Sequence, residues 1–185
     1  MNNIFLITDT HFNHPKIGEY CNRPEGWEKQ IIQNWKMTVR PEDIVIHLGD
    51  VMLCDHKEYK TTFKPLITSL PGKKFLVKGN HDKQSDRWYM DNGFDFCCDR
   101  FVMKGVLYSH TPAPVEEMGA DIRFNIHGHT HNKNPLWKEP LIRYEERRYL
   151  LILENCKYKP VKLGRLLQAM EEMQIFEEED LSLDQ

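Results

Sequence analysis

An α/β fold is what this 185-residue sequence predicts, with strands and helices alternating in the first half and a strand-rich second half. Two observations carry the prediction. Up to about residue 80, short apolar runs alternate with segments whose apolar residues recur every three or four positions, the pattern of parallel βαβ units. From Phe94 onward the helical spacing gives way to short apolar runs separated by turn residues.

The elements follow in order. Ile4–Thr8 is a short apolar run and predicts a buried strand. Trp27, Ile31, Trp35 and Val39 lie four apart between Glu25 and Val39, one face of an amphipathic helix that Arg40-Pro41 ends. Ile44–Leu48 is the second strand. Tyr59, Phe63, Leu66, Ile67 and Leu70 give Lys57–Leu70 helical spacing, interrupted by Pro65. Pro71-Gly72 is a turn, and Lys74–Lys78 is the third strand. Phe94–Cys98, Phe101–Lys104, Val106–Ser109, Arg123–His127 and Tyr149–Glu154 predict further strands, with a hairpin turn at Lys104-Gly105. Leu163, Leu166, Leu167, Met170 and Met173 have helical spacing, and the acidic run Glu177–Asp180 follows. Residues 163–185 are expected to be a helix on the core and a solvated tail, within or appended to a single domain spanning 1–185.

The bulk properties narrow the classes. A formal net charge of −3 gives no basic field that would favour a nucleic-acid backbone. The five cysteines (Cys21, Cys54, Cys97, Cys98 and Cys156) are odd in number and contain no Cys-x-x-Cys pair, which argues against disulfide scaffolds and zinc ribbons. The N-terminus has no signal-peptide pattern, and no stretch approaches the ~20 apolar residues of a membrane span. A soluble cytoplasmic protein is expected, with no membrane partner.

Five polar strings follow apolar runs: Asp9-Thr10-His11, Gly49-Asp50, Gly79-Asn80-His81-Asp82, His110 and Gly128-His129-Thr130-His131. Open α/β sheets build their sites at the carboxyl ends of strands, where Asp9, Asp50 and Asn80 fall. Gly49 and Gly79 are expected to allow the tight turns that aim the residues after them. Carboxylates, an amide oxygen and imidazoles form a mixed oxygen and nitrogen donor set that suits Mn, Fe or Zn better than Mg or Ca alone. Two carboxylates facing two divalent ions leave a positive centre that attracts phosphate.

This pattern resembles the calcineurin-like metallophosphoesterase superfamily. Asp9–His14, Tyr20–Pro24 and His47–Asp50 are similar to a small bacterial and phage subfamily with Asp-Thr-His-Phe-x-His, Tyr-Cys-Asn-Arg-Pro and His-Leu-Gly-Asp. The resemblance implies a four-layer sandwich of two mixed β-sheets flanked by helices. It implies that Asp9, His11 and His131 hold one metal, that Asn80, His110 and His129 hold another, and that Asp50 bridges both. It also implies phosphoester hydrolysis by a hydroxide shared between two divalent ions, with Mn²⁺ favoured and Fe, Zn or Ni as alternatives. His81 would stabilise the phosphoryl group or protonate the leaving group, and Asp82 would orient His81. Asn13, His14 and Arg23 are candidate contacts to substrate phosphate, with loop structure as the alternative.

The remaining residues of interest have simpler readings. His47 and His127 lie inside strands and are expected in the core or behind the ligands. His56 is expected on the surface, and Cys54 as a buried thiol. Trp27 and Trp35 belong to the core, while Trp88 is less constrained and Trp137 is a candidate for the site rim. Asp50 is followed by Val51-Met52-Leu53-Cys54-Asp55, so the Asp-Arg-Gly element of Ser/Thr phosphatases and symmetrical dinucleoside tetraphosphatases is absent. The expected enzyme is a phosphodiesterase for a small or flexible substrate: a nucleotide derivative, a cyclic nucleotide or a nucleic-acid end. Nucleic acid enters only as substrate, and the oligomeric state is not specified. A phosphomonoesterase and a non-catalytic scaffold of the same fold are the alternatives.

Overall fold

Two five-stranded mixed sheets lie at the centre of the structure, a computed structural model that describes residues 2–53, 59–131, 141–143 and 147–171. Cys54, His56, Trp137, Met173 and the acidic run lie outside the described residues. The first sheet contains β1 (Ile4–Ile7), β2 (Ile44–His47), β3 (Lys73–Val77), β4 (Phe96–Cys98) and β10 (Val161–Lys162), in the order β10-β1-β2-β3-β4. β1 to β4 run parallel, and β10 joins β1 antiparallel. The second sheet has the order β5-β6-β7-β9-β8, from β5 (Arg100–Met103), β6 (Val106–Ser109), β7 (Phe124–His127), β8 (Leu141–Arg143) and β9 (Arg148–Leu150). β6, β7 and β9 are parallel, with β5 and β8 antiparallel at the edges.

Strand alternation divides the core. Phe5, Ile7, Val45 and Leu76 face the helices, packing with Ile31 and Trp35 of α2 (Trp27–Thr38) and Ile67 of α3 (Lys64–Ser69). Leu6, Ile46 and Val77 point the other way, onto Val106, Tyr108, Ile126 and Tyr149 of the second sheet. The helix at residues 163–171 inserts Leu163, Leu166 and Met170 into this second cluster, with Leu167 at its edge. The expectation of two mixed sheets flanked by helices therefore holds. On the second sheet, the described cover near Ala113, Met118 and Ile122 includes only a 3-10 turn at Val115–Glu117. No helix among the described residues is long and apolar enough to cross a membrane.

Several local expectations are refined. Among the described residues, the segment after the second strand is a π-helical turn at Tyr59–Phe63 that continues as α3, with Pro65 in the first α-helical turn. Lys104 and Gly105 close the β5–β6 hairpin with φ of 53° and 72°, the backbone of a type I′ turn. Tyr149–Glu154 is not one strand: the ladder ends at Leu150, because its partner β7 ends at His127. Helices α1 (Ile17–Tyr20) and α4 (Asp86–Asp91) were not predicted; Ser85 caps α4 by accepting the Trp88 N–H at 3.2 Å. Trp88 packs edge-on against Tyr59 and Phe63, in an aromatic cluster and away from any nucleobase role.

Candidate metal centre

The loops after β1 and β2 zip together beyond the ends of their strands. Asp9 N–H donates to Gly49 O, His11 N–H to Asp50 O and Phe12 N–H to Val51 O, each at 2.9 Å. This pairing brings the first two polar strings side by side. The third is tied in by Asp82, whose buried carboxylate accepts from the N–H groups of Asp50 (2.7 Å), Gly79 (2.8 Å) and Val51 (3.2 Å). The fourth and fifth join through Gly128 N–H to His110 O at 3.0 Å and His129 N–H to Asp9 Oδ2 at 3.0 Å.

The backbone at these loops is unusual. Asp9, His11, Asp50 and His129 have φ of 51°, 46°, 57° and 72°, a left-handed conformation that non-glycine residues adopt only when the surroundings hold it. The glycines act differently from one another. Gly49 takes φ 94°, as expected of a turn. Gly79 has no positive φ; a Cβ there would overlap the Asp50 carboxylate, so its task is close approach. Gly128 does the same beside Thr8 and Asp9.

Two sets of donor atoms result. In the first, His11 Nε2 and His131 Nε2 are 3.1 Å apart, and Asp9 Oδ1 lies 3.8 and 3.7 Å from them. In the second, His110 Nε2 lies 3.0 Å from Asn80 Oδ1 and 3.1 Å from His129 Nδ1. Asp50 Oδ2 sits between the sets, 3.6 Å from His11 Nε2 and 3.4 Å from His110 Nε2. All seven expected ligands are therefore brought together, in the two groups named from the sequence.

The donor atoms fit divalent ions. Ligand atoms about 2.0–2.2 Å from one ion lie roughly 3–3.5 Å from each other, close to the spacings here. Asp9 Oδ2 is satisfied by Thr8 Oγ1 at 2.5 Å and the His129 N–H, whereas Asp9 Oδ1 is buried with no hydrogen-bond partner and points at the imidazoles. A buried carboxylate oxygen left this way is costly unless a cation meets it. His110 Nδ1 donates to Leu48 O at 2.7 Å, which turns Nε2 toward the cluster.

The electrostatics agree. Burial alone would raise the Asp50 pKa, but hydrogen bonding and charge from His110, with the His81 N–H and His11, hold it down at about 2. Burial pushes His11 down to about 2, so the ring is neutral and one of its two nitrogens keeps a lone pair. His131 is opposed by burial, yet Cys21, Glu154 and Asp9 lift it to about 10, which marks a place where positive charge is favoured.

The other candidates separate clearly. The His81 side chain is 42% exposed at the rim, its Nε2 3.9 Å from Asp50 Oδ2, and its N–H donates to Asp50 Oδ1 at 2.8 Å. Asp82 is placed differently from expectation: its oxygens are used by three backbone N–H groups, so it shapes the Asp50 loop instead of orienting the His81 ring. His14 lies beside the site, its ring 5.6 Å from His11 and 6.4 Å from His81. Asn13 sits on the adjoining loop, its N–H bound to Glu28 at 2.6 Å.

Arg23 is a correction. Its side chain is fully enclosed, and its donors go to the carbonyls of Asp9 (2.8 Å) and Thr10 (3.2 Å) and to Glu154 (2.8 Å). A guanidinium used in this way has no free edge for a substrate phosphate. Glu154 and Thr10 were missed. Glu154 carried the same signal as Asp9 and Asp50, an acid at the end of an apolar run.

His47 and His127 take supporting positions. His47 Nδ1 accepts from Gly49 N–H at 3.1 Å and its Nε2 donates to Thr10 Oγ1 at 2.9 Å, while burial pushes its pKa down to about 3. His127 Nδ1 meets Gly128 O at 3.0 Å, and burial lowers its pKa to about 4. Beside the second donor set opens a cleft of about 450 Å³, bordered by Lys78, Asn80, Arg100, His110, Pro112 and Pro114.

Known proteins place this geometry. The chain is 35% identical to the uncharacterized protein MJ1445 of Methanocaldococcus jannaschii, over 92% of this chain and 93% of that one. It is 27% identical to the gene 66 protein of Mycobacterium phage D29, over 72% and 80% of the two chains. A crystal structure of AQ665 from Aquifex aeolicus, a protein of unknown function, has a TM-score of 0.68 and 26% identity, covering 91% of this chain and 100% of that one. Residues 3–159 match the family model for calcineurin-like phosphoesterases, and with the Asp, His and Asn clusters gathered at the strand ends, the chain belongs to that family.

Proposed function

We propose that this protein is a phosphodiesterase that uses two divalent ions, Mn²⁺ preferred, held by Asp9, His11 and His131 on one side and Asn80, His110 and His129 on the other. The observation that carries the proposal is Asp50 Oδ2, which lies within 3.6 Å of a donor from each group. When bound, such a pair lowers the pKa of water to supply a nucleophile at neutral pH and neutralises charge on the phosphoryl oxygens. The chain's own residues do the rest. Asp50 separates the two sets and balances their charge. His81, at the exposed rim, faces the departing oxygen and gives it a proton. His14 lines the same side, and Asn13 borders the entrance.

Charge favours a diester. Lys78 is paired with Asp86 (2.6 Å) and Asp99 (3.2 Å), and Arg100 with Glu117 (2.6 Å), so the cleft presents little unbalanced positive charge. Arg23 is withdrawn from the phosphate altogether. A diester monoanion needs fewer cations than a monoester dianion, and a cleft of about 450 Å³ accommodates a small organic group. We take the setting to be cytoplasmic and the substrate a small phosphodiester. Hydrolysis of bis-aryl and mono-aryl phosphates by the Mn²⁺-loaded protein tests this. The expected result is kcat/KM about tenfold or more in favour of the diester, a difference of at least ~1.4 kcal/mol in barrier. Faster monoester cleavage would assign the chain to the phosphomonoesterases.

A further inference from the structure

The Cys21-Asn22-Arg23-Pro24 stretch is a motif that this chemistry leaves unused. We infer that Arg23 and Glu154 form a brace that positions the Asp9, His11 and His131 half of the centre, so that one of the two ion positions depends on it and the other does not. The inference rests on the two-ion reading above.

Arg23 grips the loop that carries two ligands. One guanidinium nitrogen donates to Asp9 O at 2.8 Å and another to Thr10 O at 3.2 Å. These peptides belong to a loop whose Asp9 and His11 have φ of 51° and 46°, which persists only if something holds it. The edge of the fork made by Nε and Nη2, the nitrogen that also holds Asp9 O, meets Glu154 Oε1 at 2.8 Å. The Trp27 ring covers the guanidinium, 4.6 Å from its carbon to the ring centroid. A planar fork with several fixed directions serves all these acceptors at once, which an ammonium group cannot do.

Glu154 passes the constraint on to His131. Its Oε1 faces His131 Nδ1 at 3.6 Å, on the opposite side of the ring from the Nε2 that meets His11. A carboxylate at one imidazole nitrogen sets the tautomer and turns the other lone pair toward an ion. Cys21, His131 and Glu154 also offer donor atoms within 4.8 Å of one another. Glu154 Oε1 is already paired with Arg23, and the brace assigns this trio to support of the ring. Among the described residues, the hydrogen bonds of Arg23 and the close approach of Glu154 to His131 are to the first donor set. The second has anchors of its own, Leu48 O on His110 and Asp82 on the Gly79–Asp50 contact, and meets the braced loop through the His129 N–H on Asp9 Oδ2. Arg23 and Glu154 are therefore positioning residues.

The test is titration of Mn²⁺ into metal-free wild type, Glu154→Gln and Arg23→Lys. Calorimetry reads stoichiometry and affinity, and electron paramagnetic resonance reads spin coupling between the two ions. Wild type is expected to bind two coupled ions. Each variant, folded by circular dichroism, should keep one ion at wild-type affinity and bind the other about 10–100-fold more weakly, with the coupled signal lost at low Mn²⁺. Arg23→Lys alone is at risk of misfolding, in which case the near-isosteric Glu154→Gln decides. Variants that bind both ions like wild type, or that lose both alike, overturn the brace. A wild type that takes up a single ion overturns the two-ion reading and the brace with it.

Discussion

Asp50→Asn is expected to lower phosphodiester turnover about a thousandfold or more, because the several kcal/mol that a bound ion pair contributes depend on this carboxylate. Three features of the residue make the effect large. Its Oδ2 is close to a nitrogen from both donor sets, so one substitution reaches both. Its charge is held in place by the surroundings, which keep its pKa at about 2. The substitution replaces an acceptor between two imidazoles with an amide, and removes a negative charge where two divalent ions would repel each other. The fold should survive. Asparagine has the same shape, and an oxygen in the Oδ1 position still accepts the His81 N–H now seen at 2.8 Å. The check is kcat measured beside elemental analysis and thermal melting. A folded variant with depleted metal and collapsed turnover is expected; turnover equal to wild type would remove Asp50 from the centre.

His81→Ala is expected to lower kcat by about 10²–10⁴-fold while metal content stays near wild type. The separation follows from geometry. What His81 gives to the centre is its backbone N–H to Asp50, which alanine retains, while the imidazole stands 42% exposed at the rim. On the proposal that the ring protonates the departing oxygen, the loss should be larger for alkyl than for nitrophenyl esters, whose leaving group needs no proton. Loss of metal in this variant would make His81 a ligand. An equal loss for both esters would assign it to phosphate binding instead.

Much of the fold was legible because the strands are buried on both faces. Ile4–Ile7, Ile44–His47 and Lys73–Val77 stand out as apolar runs, and the helix carrying Ile31 and Trp35 has clean four-residue spacing. The two-residue β10 and the three-residue β8 are too short for periodicity, and β10 pairs with β1 from the other end of the chain. The six-residue α4 is held by its Ser85 cap and by Tyr89 and Trp88 packing more than by any helical pattern.

The candidate site was legible for a different reason. Its donors are chemically distinctive residues placed next to strand ends, and the two sheets bring those ends together. What sequence did not carry was the division of labour among the polar residues behind them. An arginine near a phosphoesterase motif looks like an anion receptor, but Arg23 is turned inward to the carbonyls of Asp9 and Thr10. An aspartate next to His81 looks like its partner, but Asp82 is claimed by backbone N–H groups of two loops. Both outcomes depend on which buried peptide groups lack other partners, and that is decided by tertiary packing.

Two ions on either side of Asp50 can be seen by anomalous X-ray scattering from Mn²⁺-soaked crystals of the wild-type protein. The expected result is two peaks about 3.5–4 Å apart on either side of Asp50 Oδ2, one against Asp9, His11 and His131 and the other against Asn80, His110 and His129. A single peak, or a peak among Cys21, His131 and Glu154 with none beside His110, would contradict the two-ion reading.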